Sequence, residues 1–288
     1  MQRELLFPNM KILVTGGSGR VGQAVVQLLS DTGMTVVNID RKPPSEWRSR
    51  FIEVDLEDSG QVYDAIAEQK PDGVVHLAAD ARSMGRVRHA QFMGNVGIAH
   101  SVMQAAADLG AARLVYASSE QASGWTSARL QPERLPADET AMTPPQTAYA
   151  LSKYVGEVIA ESFAAAHPEM SFSSLRFNYV SLPEHYERMR EWREDHMSPN
   201  LWGYVDVRDA AAAVKLALEK DLKGHRAYNI NATDTLSHTP TRELVAKWYG
   251  DKVELAEDLT TFGALIDCTR AERELGWKPQ HTWRSIEA

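Results

Sequence analysis

The fold of this chain is decided near its beginning, by the stretch KILVTGGSGRVGQAVVQLLS at residues 11–30. Ile12–Thr15 is a short run typical of a buried strand, and a helical pattern follows it. Three glycines, Gly16, Gly19 and Gly22, stand at three-residue intervals where the strand passes into the helix. This order of strand, glycine turn and helix is typical of a site for the pyrophosphate group of a dinucleotide.

The glycine turn assigns a separate physical role to each glycine. Gly16 permits the tight turn, Gly19 lets the backbone approach a pyrophosphate, and Gly22 lets the helix pack closely on the strand. The beginning of the helix supplies oriented N–H groups and a partial positive charge for the same anion. The sequence therefore predicts cofactor contacts from these glycines and from Arg20 and Val21.

Acidic residues end the second and third predicted strands. Asp40 is placed to accept both hydroxyls of an adenosine ribose, and its charge would repel a 2′-phosphate, which favours NAD over NADP. Arg41 and Arg20 are nearby and could attract that phosphate, so NADP remains the alternative. Asp55 and Leu56 are candidates for contact with the adenine, although the aspartate could equally cap the following helix.

Strand-like and helical segments alternate along most of the chain. The predicted strands are Ile12–Thr15, Val36–Ile39, Phe51–Val54, Val74–Leu77, Arg113–Ala117 and Ser171–Phe177, followed by Gly203–Val207 and Ala227–Ile230. The predicted helices run from about Gly19 to Ser30, Asn95 to Leu109, Ala148 to Ala165 and Asp209 to Glu219, with two more around Thr241 and Arg270.

This alternation predicts an α/β fold, a Rossmann-type doubly wound parallel sheet of six or seven strands. We expect an NAD(P)-binding domain over residues 10–177. A small C-terminal substrate lobe is expected over 178–288, interleaved with late sheet elements at about 203–231. The irregular segment 121–146 contains four prolines and is predicted to border the active site.

Composition excludes several classes of function. The net charge of −8 disfavours nucleic acid as a partner, because phosphate contacts need clustered Lys and Arg. No apolar run is long enough for a membrane span or a signal peptide, and the single cysteine, Cys268, fits a reducing compartment, so we expect a cytoplasmic protein. No His, Cys or carboxylate cluster has the spacing of a metal site, and none is predicted.

The sharpest chemical signal is YALSK at residues 149–153. A spacing of four places Tyr149 and Lys153 on one face of a helix, and a nearby cation is expected to lower the pKa of the phenol. Tyr149 could then act as a general base toward a hydroxyl or a general acid toward a ketone. Thirty residues earlier, Ser119 ends a strand of the same sheet and could hydrogen-bond the reacting oxygen. Alone, each feature could be an ordinary structural residue.

Together these residues resemble the extended short-chain dehydrogenase/reductases, which include nucleotide-sugar epimerases, dehydratases and uronate dehydrogenases. The matching segments are Thr15–Gly22, Asp40, Asp55-Leu56, His76–Ala79, Asn95-Val96, Ser118-Ser119 with Gly124, Tyr149–Lys153, Leu175-Arg176, Tyr204–Asp209 and Leu275–Pro279. The resemblance implies that Ser119, Tyr149 and Lys153 are catalytic and that Tyr149 and Lys153 also contact the cofactor. It further implies that the protein is a homodimer. It also implies cofactor contacts from Leu77, Ala78 and Ala79 and from Asn95 at the start of a helix.

Departures from the family pattern narrow the choice among the reactions that the family catalyses. Dehydratases follow the serine or threonine with an Asp-Glu pair, whereas here Glu120 precedes Gln121, which disfavours dehydration. Nucleotide-sugar enzymes usually carry an asparagine where this chain has Tyr179, followed by Gly-Pro, so a nucleotide pocket is not expected. The segments 117–121 and 188–192 are similar in placement to uronate dehydrogenases, which makes Arg188 a candidate clamp for a sugar carboxylate. A solvated helix arginine is the other interpretation.

The leading hypothesis is an NAD-dependent dehydrogenase that transfers hydride between nicotinamide and a hydroxyl carbon of a sugar or sugar acid. Ser119, Glu120, Asn178 and Arg188 are the candidate substrate contacts. The first alternative is a sugar or nucleotide-sugar epimerase of the UDP-glucose 4-epimerase type, which uses the same Ser, Tyr and Lys. The second is a non-catalytic cofactor sensor, which would have no need to retain all three residues.

Overall fold

Within the part of the chain that this computed structural model describes, residues 10–81, 87–125, 131–191, 195 and 198–286, seven parallel strands form one central sheet. Its strands are β1 (Lys11–Thr15), β2 (Thr35–Asp40), β3 (Arg50–Glu53), β4 (Gly73–His76), β5 (Arg113–Ser119), β7 (Ser171–Phe177) and β10 (Gly224–Ile230). The short strands are β6 (Arg134–Leu135), β8 (Val180–Ser181), β9 (Val205–Asp206) and β11 (Glu254–Leu255). The sheet order β10-β7-β5-β4-β1-β2-β3 reverses direction beside β1.

Helices cover both faces of this sheet. They are α1 (Arg20–Asp31), α2 (Ser59–Gln69), α3 (Arg88–Asp108), α4 (Ala148–Ala166), α5 (Tyr186–Met189), α6 (Val207–Glu219), α7 (Thr241–Tyr249) and α8 (Thr269–Leu275). One apolar core joins the sheet to α1, α6 and α8, and a second joins it to α2, α3 and α4. The predicted doubly wound parallel sheet is confirmed, since the apolar faces of a central sheet must be buried on both sides.

The boundaries differ from the sequence-based expectation at α3, β5, β9 and β10. Strand β9 covers only two residues of the predicted Gly203–Val207, and β10 begins three residues before Ala227. Helix α3 begins at Arg88 and not near Asn95, and its first residue follows Val87, which provides no side-chain cap. A helix that starts without a capping side chain leaves little trace in the sequence. Strand β5 continues to Ser119, two residues past Ala117, because its pairing with β7 extends that far.

A third apolar cluster forms a small lobe beyond the sheet. Three of its residues are large aromatic side chains that are almost fully buried, namely Trp202, Tyr204 and Trp283. The described part of the irregular segment 121–146 joins this lobe, because β6 pairs with β11 and Ala137 bridges Ile266. The division of the chain at residue 177 remains a prediction.

None of the described helices combines the length and the apolar character that crossing a membrane requires.

Candidate active site

The glycine turn lies at the carboxyl end of β1. Gly16 has a φ of +71°, and its N–H donates to the carbonyl of Ile39 over 3.0 Å. A Cβ on Gly16 would lie 2.7 Å from the backbone nitrogen of Ala78. A Cβ on Gly22 would overlap the carbonyl oxygen of Gly16, so the turn tolerates side chains at neither position.

A cleft of about 870 Å³ opens above this turn. Thirteen residues predicted from the sequence to contact the cofactor line it, namely Gly16, Gly19, Arg20, Val21, Gly22, Asp40, Arg41, Asp55, Leu56, Leu77, Ala78, Ala79 and Asn95. Lys42 also lines the cleft, as a third cation beside Arg20 and Arg41 that no sequence pattern had indicated. The cleft lies at the carboxyl ends of parallel strands beside the point where strand order reverses, where such sheets bind ligands.

Asp40 holds the glycine turn as well as facing the cleft. Its carboxylate accepts the backbone N–H of Ser18 over 3.2 Å and that of Lys42 over 3.3 Å. The Arg20 guanidinium is directed elsewhere, since it donates to the carbonyl of Val180 over 3.3 Å. Arg41 is exposed at the rim. The carboxylate is therefore fixed by backbone donors, whereas the Arg41 side chain extends into solvent.

The alternative role of Asp55 as a helix cap is wrong. Helix α2 is capped by Asp58, whose carboxylate accepts the N–H groups of Gly60 and Gln61 over 2.9 and 3.3 Å. Asp55 is exposed and accepts only the N–H of Glu57 among its described side-chain hydrogen bonds.

Asn95 is not a helix-start residue, because α3 begins seven residues before it. Its buried amide links the cofactor cleft to α4: Oδ1 accepts the N–H of Asp80 over 2.8 Å, and Nδ2 lies 3.2 Å from Oγ of Ser152. Ser152 in turn donates to the carbonyl of Tyr149 over 2.7 Å. The side chain thus fixes the loop after β4 against the helix that carries the predicted base.

Tyr149 and Ser119 are brought together as the sequence predicted, and the Ser119 hydroxyl is close enough to lower the pKa of the phenol. Tyr149 lies in the first turn of α4, which Thr147 caps, and Ser119 is the last residue of β5. The Ser119 hydroxyl also donates to Oε2 of Glu120 over 2.8 Å. A proton acceptor, a hydroxyl donor and a carboxyl group therefore share one cluster, in which Ser119 and Glu120 are buried and Tyr149 is half-buried.

Lys153 lies one turn further along α4, with Nζ 5.7 Å from the centre of the Tyr149 ring. Nζ donates to the carbonyl of Ala117 over 2.6 Å, and burial lowers the pKa of Lys153 to about 7. The expectation that this lysine lowers the pKa of the phenol is wrong for the protein alone. Burial and the charge of Glu120 raise the pKa of Tyr149 well above its ordinary value.

An ion pair that the sequence patterns did not predict lies behind this cluster. Glu157, one turn beyond Lys153, accepts two hydrogen bonds from Arg176 on β7, at 2.9 and 2.7 Å, and one from Ser118 at 2.5 Å. Both charged side chains are buried. The glutamate opposes the fall in the pKa of Lys153 that burial causes. Only the match of Leu175-Arg176 to the family pattern had singled out the arginine, and nothing had singled out its partner.

The two other candidate substrate residues lie apart from the cluster. Asn178 is buried at the end of β7, where its side chain bonds the N–H of Tyr179 and the side chain of Asn200. Arg188 lies on α5, whose buried residues are Tyr186 and Met189, and its own side chain is exposed. No contact in the described residues joins Arg188 to Ser119 or Tyr149. Trp192, at the end of the same matched segment, lies outside the described residues.

No group of three or more potential metal ligands occurs among the side chains that the structure describes. His76, at the end of β4, is buried and bonds Thr15 through Nδ1 at 2.7 Å. Burial and the nearby Lys153 lower its pKa to about 3, so it is a neutral structural residue at neutral pH.

Comparison with known proteins agrees with this geometry. The model of the NAD dependent epimerase/dehydratase family matches residues 12–231. A UDP-glucose 4-epimerase of Corynebacterium glutamicum is 28% identical over 95% of this chain and 92% of its own length. A probable dTDP-glucose 4,6-dehydratase of Sinorhizobium fredii is 26% identical over 95% of this chain and 89% of its own length.

A solved structure shares the fold. A short-chain dehydrogenase/reductase superfamily protein from Agrobacterium tumefaciens, with bound NAD, superposes with a TM-score of 0.75. It is 23% identical and covers 96% of this chain and 94% of its own. The chain belongs to the NAD dependent epimerase/dehydratase family and is an enzyme of the extended short-chain dehydrogenase/reductase type.

Proposed function

We propose that this enzyme transfers hydride between NAD and a hydroxyl carbon of a sugar or sugar acid, as a dehydrogenase. The observation that carries this proposal is that Tyr149, Ser119 and Lys153 lie together at the carboxyl end of β5, with Nζ of Lys153 5.7 Å from the centre of the Tyr149 ring. Strand β5 neighbours β4, which neighbours β1 and the glycine turn. The acid-base pair and the cofactor cleft therefore occupy the same edge of the sheet.

The cleft fits a dinucleotide. Gly16 and Gly22 leave room that a Cβ would fill, and the N-terminus of α1 faces the turn with its N–H groups. Asp40 would hold the adenosine ribose, and Leu77, Ala78 and Ala79 would line the path toward the sugar substrate. When bound, NAD supplies the hydride acceptor and a positive charge near the phenol.

Tyr149, Ser119 and Lys153 have separate roles in the proposed reaction. Tyr149 takes the proton from the substrate hydroxyl in oxidation and returns it to the carbonyl in reduction. Ser119 donates to the reacting oxygen as its charge develops. Lys153 places its ammonium beside the phenol and is proposed to bind the nicotinamide ribose. Glu120, Asn178 and Arg188 remain proposed substrate contacts.

A second candidate function is epimerisation of a sugar or nucleotide sugar. The relative from Corynebacterium glutamicum, named as a UDP-glucose 4-epimerase, favours it, because the similarity extends over nearly the whole of both chains. An epimerase needs the same Tyr149 and Ser119 but returns the hydride to the opposite face of the ketone. The site alone does not separate the two reactions.

Stoichiometry separates them. Purified protein is incubated with NAD or NADP and with uronates, aldoses or UDP-sugars, and the absorbance of the reduced cofactor is followed. Net accumulation with an oxidised sugar supports the dehydrogenase. An inverted sugar formed without net reduction of cofactor overturns it in favour of the epimerase.

We also propose that the protein is a homodimer in the cytoplasm. Leu151, Tyr154 and Val158 are exposed on one face of α4, at a spacing that forms an apolar stripe, and such stripes mark interfaces. The half-buried free thiol of Cys268 suits a reducing compartment. Light scattering should show a dimer that Val158→Glu dissociates, whereas Trp47→Glu, a change at an exposed site between β2 and β3, should leave it intact. A monomeric wild type would refute the dimer, and cell fractionation tests the compartment.

A further inference from the structure

Glu120 is a buried carboxyl group directly beside the proposed acid-base pair. Its residue is only 7% exposed, and it begins the short 3-10 helix Glu120–Ser123 that follows β5. An exposure this low leaves only a small surface for the proposed contact with a sugar. The carboxyl therefore acts on the reaction largely through its neighbours, namely Ser119, which donates a hydrogen bond to it, and Tyr149, whose pKa its charge raises.

The direction of this hydrogen bond matters. Ser119 has one hydroxyl proton, and it is donated to Oε2 of Glu120 over 2.8 Å. The N–H of Gln121 donates to Oγ of Ser119 over 3.2 Å. A hydroxyl proton that points to Glu120 is not available to a substrate oxygen, so an ionised Glu120 competes with the substrate for the same donor.

A protonated Glu120 reverses this arrangement. Its own O–H can donate to Oγ of Ser119, whose proton is then free to turn toward Tyr149 and the reacting oxygen. Loss of the carboxylate charge also removes a contribution that raises the pKa of Tyr149. Both changes favour abstraction of a proton from the substrate.

In the described part of the chain, no cation compensates the charge of the Glu120 carboxyl. Tyr149, Lys153 and Glu157 lie on α4, and Arg176 lies on β7. The arginine pairs with Glu157, and Nζ of Lys153 donates to a backbone carbonyl of β5. Burial outweighs the hydrogen bonds that Glu120 accepts and raises its pKa to about 7.

We propose that Glu120 is a positioning residue whose protonation switches the Ser119 hydroxyl proton away from Glu120 and toward the reacting oxygen. This rests on the proposed function, because it assigns a regulator to the same acid-base pair. Ionised Glu120 holds the serine proton, and hydride transfer is slow. When Glu120 is protonated, its own O–H donates to Oγ of Ser119, and the serine O–H rotates toward the reacting oxygen with its O–H bond intact.

The kinetic test compares wild type with Glu120→Gln, whose neutral amide can donate to Ser119 at every pH. The ratio of kcat for the variant to kcat for wild type, in sugar oxidation, should rise by at least about tenfold from pH 6 to pH 9. This is less than the roughly 10²–10³ typical of deleting an oxyanion donor, because the serine is misdirected and not removed. Glu139→Gln is the matched control, since Glu139 is also buried but bonds Asn229, and its ratio should stay flat. If that variant does not fold, Glu133→Gln at an exposed site replaces it.

An infrared measurement does not depend on turnover. Wild type should show the carbonyl band of a protonated carboxylic acid that disappears near neutral pH, that is absent in Glu120→Gln and that shifts in Ser119→Ala. A flat kinetic ratio, a missing band or a band indifferent to Ser119→Ala would overturn the proposal. Absence of sugar turnover with the band present and shifted would instead count against the proposed function, and the role of Glu120 toward Ser119 would stand.

Discussion

Arg176 on β7 donates two hydrogen bonds to Glu157 on α4, at 2.9 and 2.7 Å, in a buried ion pair directly behind the proposed catalytic cluster. The same glutamate accepts a hydrogen bond from Ser118, the neighbour of Ser119. Sheet and helix are thereby joined at the level of the residues that carry Ser119 and Lys153. The relative position of the two catalytic elements depends on this pair.

Removing Glu157 should therefore be costly. Glu157→Ala leaves the Arg176 charge buried and unpaired, which typically costs about 3–5 kcal/mol of unfolding free energy. Urea unfolding followed by circular dichroism measures the loss. The control is Glu68→Ala, which breaks an exposed ion pair with Arg50 and should cost at most about 1 kcal/mol. Equal losses in the two variants would contradict the assigned role of the buried pair.

Tyr149→Phe should keep the fold and the binding of NAD, because the change removes only the phenolic hydroxyl and keeps the ring that is predicted to contact the cofactor. Turnover should fall by about 10²–10⁴, the usual contribution of a general acid or base. Tyr154→Phe, on the exposed face of the same helix, is the matched control and should retain turnover. Steady-state kinetics and NAD titration by fluorescence give the two readouts. Undiminished turnover in Tyr149→Phe would refute the assigned base.

The cofactor preference should follow Asp40. A carboxylate held by the N–H groups of Ser18 and Lys42 favours ribose hydroxyls and repels a 2′-phosphate, so we expect NAD to bind at least about tenfold more tightly than NADP. Asp40→Ala should shrink this ratio, whereas Asp55→Ala, at an exposed carboxylate of the same cleft, should not. Affinities are measured by calorimetry. Equal binding of both cofactors by the wild type would show that Arg41, Lys42 or Arg20 governs the pocket.

The burial of Glu120 should also appear in stability. Its pKa rises from 4.5 to about 7 on folding, so the folded state binds the proton more tightly. The associated stability is present at low pH and is lost as the pH rises through about 7. Relative to wild type, Glu120→Gln should therefore gain about 2 to 3 kcal/mol between pH 5 and pH 8. Urea unfolding at the two pH values measures the difference in unfolding free energy between the variant and wild type. If this difference did not change with pH, folding would not raise the pKa of Glu120.

Local patterns explain how much of this molecule the sequence could predict. The parallel sheet follows from alternating periodicities. The thirteen predicted residues among those that line the cleft lie in the turns that end β1 to β4 or in α1 and α3, close to strong glycine, aspartate and apolar signals. The beginning of α3 was misplaced because Val87 supplies no capping side chain.

Tertiary packing decides what remained hidden. Glu157 and Arg176 are nineteen residues apart on a helix and a strand, and no periodicity links them. The pKa of Tyr149 was expected to fall because spacing places Lys153 on the same helix face. It rises because desolvation penalises the charged phenol and the charge of Glu120 acts on it, and neither effect can be read from a spacing of four.

In the proposed reaction, hydride passes between a sugar hydroxyl carbon and NAD at Tyr149 and Ser119. The most direct measurement uses sugars that carry deuterium at the oxidised carbon and detects the label by mass spectrometry in the cofactor and in the sugar. We expect deuterium on the nicotinamide ring after net oxidation, and loss of this transfer in Tyr149→Phe. Release of the deuterium to water, with none on the nicotinamide, would contradict it.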